Sequence, residues 1–296
     1  MASHPHWILH IGAHKTGTTQ FQDILESQRG HLRAQGLDYL PRRDVRNAKL
    51  KSLVMNRKYG ILSMSRWRKR TFDDHTRGMR SDSPIAFMSE ENMIGTVTDI
   101  LSNPIYPALE RNLHAWADLF EGKTVDIYFS IRNYSYLLVS AYAEAIRGGV
   151  ILPPIGQYYK NFLLNDRPDW SSVVDRIIAA WPAANVRVWS LEKYSRNKFE
   201  IMERITGCNI LRNEIEIPRE TRTPSALTVE KSLLIDHGLT KKDRKRRIAA
   251  LFAEDDFKEK FAPFSDREIE HLTELYHTDI AKMMLAHPGI MLDGDL

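Results

Sequence analysis

The chain has 296 residues, 43% hydrophobic and 27% charged, enough to bury the core of one large α/β domain or two small ones. Its single cysteine, Cys208, excludes an intramolecular disulfide and a cysteine-based zinc cluster and reads as a small buried apolar residue. The net charge is only +4, no stretch approaches the roughly 20 apolar residues of a membrane span, and the first residues lack the pattern of a signal peptide, so cytoplasmic residence is expected.

The first element is a short apolar strand, Ile8 to Ile11. It runs into Gly12-Ala13-His14-Lys15-Thr16-Gly17-Thr18-Thr19 and then a helix carrying Phe21, Ile24 and Leu25. Strand, tight turn and helix N-terminus make an anion site: first-turn N–H groups face the loop, the helix dipole favours negative charge, and Lys15 adds a full positive charge. Thr18 and Thr19 are placed to cap the helix or donate to the anion. In the nucleotide-triphosphate loop G-x-x-x-x-G-K-[ST] the lysine follows the second glycine, whereas here it precedes it. The bland alternative is a surface turn with a solvated lysine.

Gly36 to Leu40 reads as a second strand. The next stretch is strongly basic: Arg42, Arg43, Arg46, Lys49, Lys51, Arg57, Lys58, Arg66, Arg68, Lys69 and Arg70 stand against the lone acid Asp44. Such a block suits phosphate, sulfate, an acidic acceptor or nucleic acid, or is simply a solvated face. Residues 42–80 are expected to be a partly helical insertion shaping the substrate side. Pro84 to Met88 is a third strand ending in the polar cluster Ser89-Glu90-Glu91-Asn92. Leu109, Leu113, Trp116 and Phe120 predict an amphipathic helix, and Val125 to Ile131 is the clearest strand in the sequence.

Arg132 follows that strand and leads into a helix whose apolar face carries Tyr134, Leu137, Leu138, Ala141, Tyr142 and Ala145, closed by Gly148-Gly149. Ser140 lies off that face, and helical side chains lean toward the N-terminus, so Arg132 and Ser140 can hold one phosphate together. A helix from Trp170 to Trp181 and a fifth strand, Val186 to Trp189, come next. A second basic run spans Lys241 to Arg247, and the pattern from Leu227 to Met284 is helical with one interruption near Pro263. Strands alternating with helices predict a three-layer α/β fold with a parallel sheet of about five strands, a helical C-terminal part (226–296) and no domain boundary within 1–296. Its ligand is expected at the carboxyl ends of the strands.

The loop from Gly12 to Thr19 resembles the 5′-phosphosulfate loop of the sulfotransferases that use 3′-phosphoadenosine 5′-phosphosulfate (PAPS), most closely the bacterial members. The segment from Arg132 to Tyr142 resembles their 3′-phosphate motif, with Tyr134 and Tyr136 where a proline and an aspartate are usual. The resemblance covers roughly residues 7 to 195 and implies a P-loop-like fold and sulfuryl transfer from PAPS to a hydroxyl or amine, a glycan or small metabolite, with adenosine 3′,5′-bisphosphate (PAP) as product. It assigns Gly12, Ala13, His14, Lys15, Thr16, Gly17, Thr18 and Thr19 to the phosphosulfate and Arg132 and Ser140 to the 3′-phosphate. A late loop with Arg219, Arg222, Thr223 and Ser225 offers a further contact, Arg222 first among them. Ile85 to Asn92 is similar to a family strand ending in Ser-Ser-Glu-Asn, which makes Glu91 the expected base and leaves Glu90 and His14 as alternatives. Lys15 would stabilise charge on the departing oxygen, and no metal is expected. Two other readings stay open: a nucleotide kinase or triphosphatase with an atypical loop, and a non-enzymatic nucleotide- or polyanion-binding module whose affinity for nucleic acid would fall steeply with salt.

Overall fold

A computed structural model describes residues 6–47, 64–79, 83–212 and 222–292. The first half of the described chain contains β1 (His6–His10), α1 (Thr18–Ser27), α2 (Arg29–Ala34), β2 (Leu37–Leu40), α3 (Arg42–Asn47), α4 (Met64–Met79), β3 (Ile85–Ser89) and α5 (Leu109–Ala117). There follow β4 (Thr124–Ile131), α6 (Tyr134–Arg147), α7 (Gly156–Asn161), α8 (Trp170–Ala180), β5 (Asn185–Ser190) and α9 (Leu191–Thr206). Three more helices, α10 (Ala226–Leu233), α11 (Lys241–Ala253) and α12 (Asp266–Ala286), complete it. No described helix is long and apolar enough to cross a membrane.

The five strands form one parallel sheet in the order β2-β3-β1-β4-β5. Alternate side chains serve opposite faces, as the pleat requires. Trp7 and Leu9, Ala86 and Met88, and Val125, Ile127 and Phe129 enter a large core with α5, α6, α8 and α12. Ile8, Phe87 and Tyr128 point the other way, against α1, α2 and α9. Near-continuous apolar strands in the sequence are thus strands buried on both faces.

β1 is central, with β3 and β4 as neighbours; His10 pairs in register with Ser89 on one side and Tyr128 on the other. The three polar clusters read from the sequence, after β1, β3 and β4, therefore stand side by side at the carboxyl edge of the sheet.

Three local expectations are corrected. The helical C-terminal stretch is broken twice, not once: Thr240 caps α11 by accepting from the Asp243 N–H, and Ser265 caps α12 in a reciprocal box with Glu268. A helix, α9, follows β5 directly where none was expected, because Asn197 leaves helical geometry (φ −123°, ψ 38°) and interrupts the stripe of Tyr194, Ile201, Met202 and Ile205. Neither Thr18 nor Thr19 caps α1. Gly17 does, in the left-handed region (φ 81°) that glycine tolerates, and a Cβ there would press Leu191 at 3.0 Å.

Candidate functional site

The loop after β1 is tied to the sheet by its backbone. Ile11 N–H donates to Tyr128 O (3.0 Å) and Ala13 N–H to Ser130 O (2.8 Å), so β1 keeps hold of β4 past its last paired residue. Beneath the loop lies a buried polar chain: His10 Nδ1 meets Ser89 Oγ (2.9 Å), His10 Nε2 meets Ser130 Oγ (3.3 Å), and Ser130 Oγ contacts Thr16 Oγ1. Burial pushes His10 down to about 3, so the bridge is a neutral imidazole. Thr16 and Thr18 both donate to Ala13 O. Their side chains brace the loop from within.

His14 and Lys15 diverge at the bend. Lys15 has a left-handed backbone (φ 65°), unusual for a side chain with a Cβ and typical of functional turns. Its ammonium donates to Glu144 Oε2 (3.3 Å), and Glu144 also pairs with Arg147. A narrow cleft of about 10 Å³ gathers Lys15, Ser140, Glu144 and Arg147 of α6 with Arg222 and Thr223. Burial lowers the Lys15 pKa against the opposing pull of Glu144. For Glu144, burial would raise the pKa, but the charges of Lys15 and Arg147 outweigh it and hold the carboxylate ionised.

Arg132 joins from the end of β4. Its Nη1 donates to Lys15 O (2.9 Å), its guanidinium lies 5.9 Å from the Tyr136 ring centroid, and its own carbonyl accepts from Trp170 Nε1 (2.9 Å). Asn133 caps α6 through the Ser135 N–H. Of the residues singled out in the sequence, Lys15, Ser140 and Arg222 thus share one cleft, and Arg132 clamps the loop that supplies its lysine. Arg219 lies outside the described residues, as do Lys49, Lys51, Arg57 and Lys58 of the basic block. In the second basic run Arg244 is buried and donates to Gly149 O (2.8 Å), which gives it a structural task.

The other flank of the loop is acidic. A Cβ on Gly12 (φ 96°) would lie 3.1 Å from Glu91 Cβ, so the glycine is what lets the end of β3 approach. Glu90 is buried and gripped by Arg46 (2.7 and 3.0 Å) and by the Asn92 N–H (3.0 Å). Burial alone would raise its pKa, but the Arg46 hydrogen bonds and charge win and lower it. Glu91 goes the opposite way: burial first, then the neighbouring Glu90 carboxylate, raise its pKa, and Arg46 at 3.5 Å offsets this only in part. Two adjacent carboxylates are thereby shifted in opposite directions. His14 sits here too, with its N–H and Nδ1 on the Tyr106 hydroxyl (3.0 and 2.9 Å), and burial lowers its pKa to about 4. A cavity of about 350 Å³ opens beside these groups, lined by Val45, Arg46, Glu90, Asn92 and Trp116.

Sequence reasoning named Arg46 only as one cation of the basic block and passed over Tyr106, Glu144 and Arg147. The last two carried a signal: Ser140, Glu144 and Arg147 recur at i, i+4, i+7, a polar stripe opposite the apolar face of α6. Among the described residues no group of three or more His, Cys, Asp or Glu is arranged to hold a metal ion.

No family model and no curated protein matches this sequence. Among solved structures, a sulfotransferase from Alicyclobacillus acidocaldarius aligns over 84% of this chain and 96% of its own, with 14% identity and a TM-score of 0.40.

Proposed function

We propose that this protein transfers a sulfuryl group from PAPS to the hydroxyl or amine of a compact acceptor. The observation that carries the reading is the difference between the two flanks of one loop: a cationic cleft on the Lys15 side, and on the other a half-buried carboxylate, Glu91, within contact of Gly12. The cleft residues suit a doubly phosphorylated nucleotide, because Lys15, Arg147 and Arg222 outnumber the one carboxylate, Glu144, and Arg132 adds a further cation at its edge.

In this reading the acceptor enters by the cavity walled by Arg46, Glu90 and Asn92 and attacks sulfur in line with the bridging oxygen. The new bond to sulfur forms as the sulfur–oxygen bond to the 5′-phosphate breaks, and that oxygen leaves with the electron pair as part of PAP. The acceptor's proton passes to Glu91, whose pKa is raised by burial and the Glu90 carboxylate, which makes it a stronger base than an ordinary carboxylate. Lys15, fixed in place before the reaction, stabilises the charge growing on the leaving oxygen. Arg46 is already engaged by Glu90 and Glu91, which favours an uncharged hydroxylated acceptor over the acidic one that the basic block suggests.

The test is a calorimetric titration with PAP in magnesium-free buffer beside ATP with magnesium. PAP should bind and ATP should bind more weakly. Preference for magnesium-ATP would move the protein to the kinase or triphosphatase class, and no PAP binding would sink the proposal. Arg132→Ala should weaken PAP at least tenfold if the arginine both clamps the loop and faces the nucleotide.

A further inference from the structure

Tyr106 reaches the loop from a heavily braced turn. Its ring is wholly buried and its backbone left-handed (φ 52°). Arg176, paired with Glu110, donates to the carbonyls of Ile105 and Tyr106, both at 2.7 Å, and the Tyr106 N–H donates to Asp99 O at 3.0 Å. Gly95 completes the mould: a Cβ there would lie 2.8 Å from the Tyr106 ring and 2.7 Å from the Asp99 carboxylate. All of this holds one hydroxyl, and both of its hydrogen-bond partners among the described residues are on His14.

A count of protons then decides what His14 is. The His14 backbone N–H already donates to the phenol oxygen, and the phenol has one hydrogen to give. If Nδ1 also carried a proton, the Tyr106 hydrogen would be buried with no acceptor, an arrangement folded proteins avoid. With Nδ1 bare, each donor has its acceptor. The doubly protonated ring is disfavoured by burial, to which Arg46 adds and against which Glu90 and Asp99 pull.

We propose that Tyr106 is a positioning residue that locks His14 in the tautomer with bare Nδ1 and protonated Nε2, so that His14 offers the site a neutral N–H donor and not a lone pair. For catalysis, on the sulfuryl-transfer reading, His14 then steadies an oxygen of the transferring or accepting group, and Glu91 remains the base. The tautomer itself does not depend on that reading.

The experiment is a long-range ¹H–¹⁵N correlation spectrum of the imidazole rings in ¹⁵N-histidine-labelled protein near pH 7, recorded without nucleotide. The His14 signal is picked out of 11 histidines by its loss in His14→Gln. The wild type should show Nδ1 at the shift of a bare nitrogen and Nε2 at that of a protonated one; Tyr106→Phe should move both toward the opposite tautomer or an average. A protonated Nδ1 or a charged ring in the wild type overturns the proposal, even if Tyr106→Phe fails to fold. A folded Tyr106→Phe protein with an unchanged His14 spectrum overturns it as well. Because no nucleotide is present, this result is read separately from the PAP titration.

Discussion

His14 and Lys15 are consecutive in the chain and face opposite chemistries. Lys15 turns into a cramped cleft where cations outnumber carboxylates and Glu144 holds both Lys15 and Arg147. His14 turns toward the acidic flank, where Glu90 and Arg46 wall a roomier cavity and Glu91 follows Glu90 in the chain. The bend that separates them is the left-handed residue Lys15 itself, so the backbone divides one loop into a cation-lined side and an acidic side, which on the proposed reading hold the donor's anion and take the acceptor's proton. Such a split lets an enzyme tune donor binding and acceptor activation by different residues.

The sharpest way to break this comparison is Glu91→Gln. Turnover should fall by about 10²- to 10⁴-fold, the usual worth of a general base, with PAP affinity nearly unchanged. The two sides should also show opposite pH limbs. Burial and Glu90 raise the Glu91 pKa, so turnover should decline as pH falls through a value above the ordinary carboxylate range, and that limb should vanish in Glu91→Gln. Burial lowers the Lys15 pKa, so PAP affinity should decline as pH rises, earlier than an ordinary lysine would dictate. Stability should sense the buried imidazoles. Burial lowers the pKa of folded His14 to about 4 and of His10 to about 3, whereas in the unfolded chain both would take up protons at the ordinary 6.5. Their contribution is fully present above about pH 6.5 and is lost as pH falls, by up to about 1.4 kcal/mol per pH unit for each histidine until its folded value is reached. Urea unfolding between pH 7 and 4 measures this, and His14→Gln should flatten the slope. The smallest effect is on the cation side. Glu144→Gln frees Lys15 and Arg147 from a competing carboxylate and should tighten PAP by roughly threefold to tenfold in the same titration.

Much of the frame was legible because its signals are local. Doubly buried strands announce themselves as apolar runs, and the loop needs no partner to be recognised as strand, glycine turn and helix start. Ser140 could be placed off the apolar face of α6 by periodicity alone. What escaped was set by distance along the chain. Glu144 meets Lys15 across 129 residues, and Tyr106 meets His14 across 92, pairings that no spacing rule reveals. Asn197 hid α9 for the converse reason, by interrupting a local period. The opposed shifts of Glu90 and Glu91 needed Arg46, one cation in a long basic block whose particular partner only the folded chain selects.

The most direct test of the two-sided loop compares PAP affinity in the wild type, Lys15→Ala and Glu91→Gln under identical magnesium-free conditions. Lys15→Ala should weaken PAP by about 10- to 100-fold, the worth of a charge-assisted contact, while Glu91→Gln stays within about twofold of the wild type. Equal losses in the two variants, or PAP binding that ignores Lys15, would contradict the division of the loop into an anion side and a proton side.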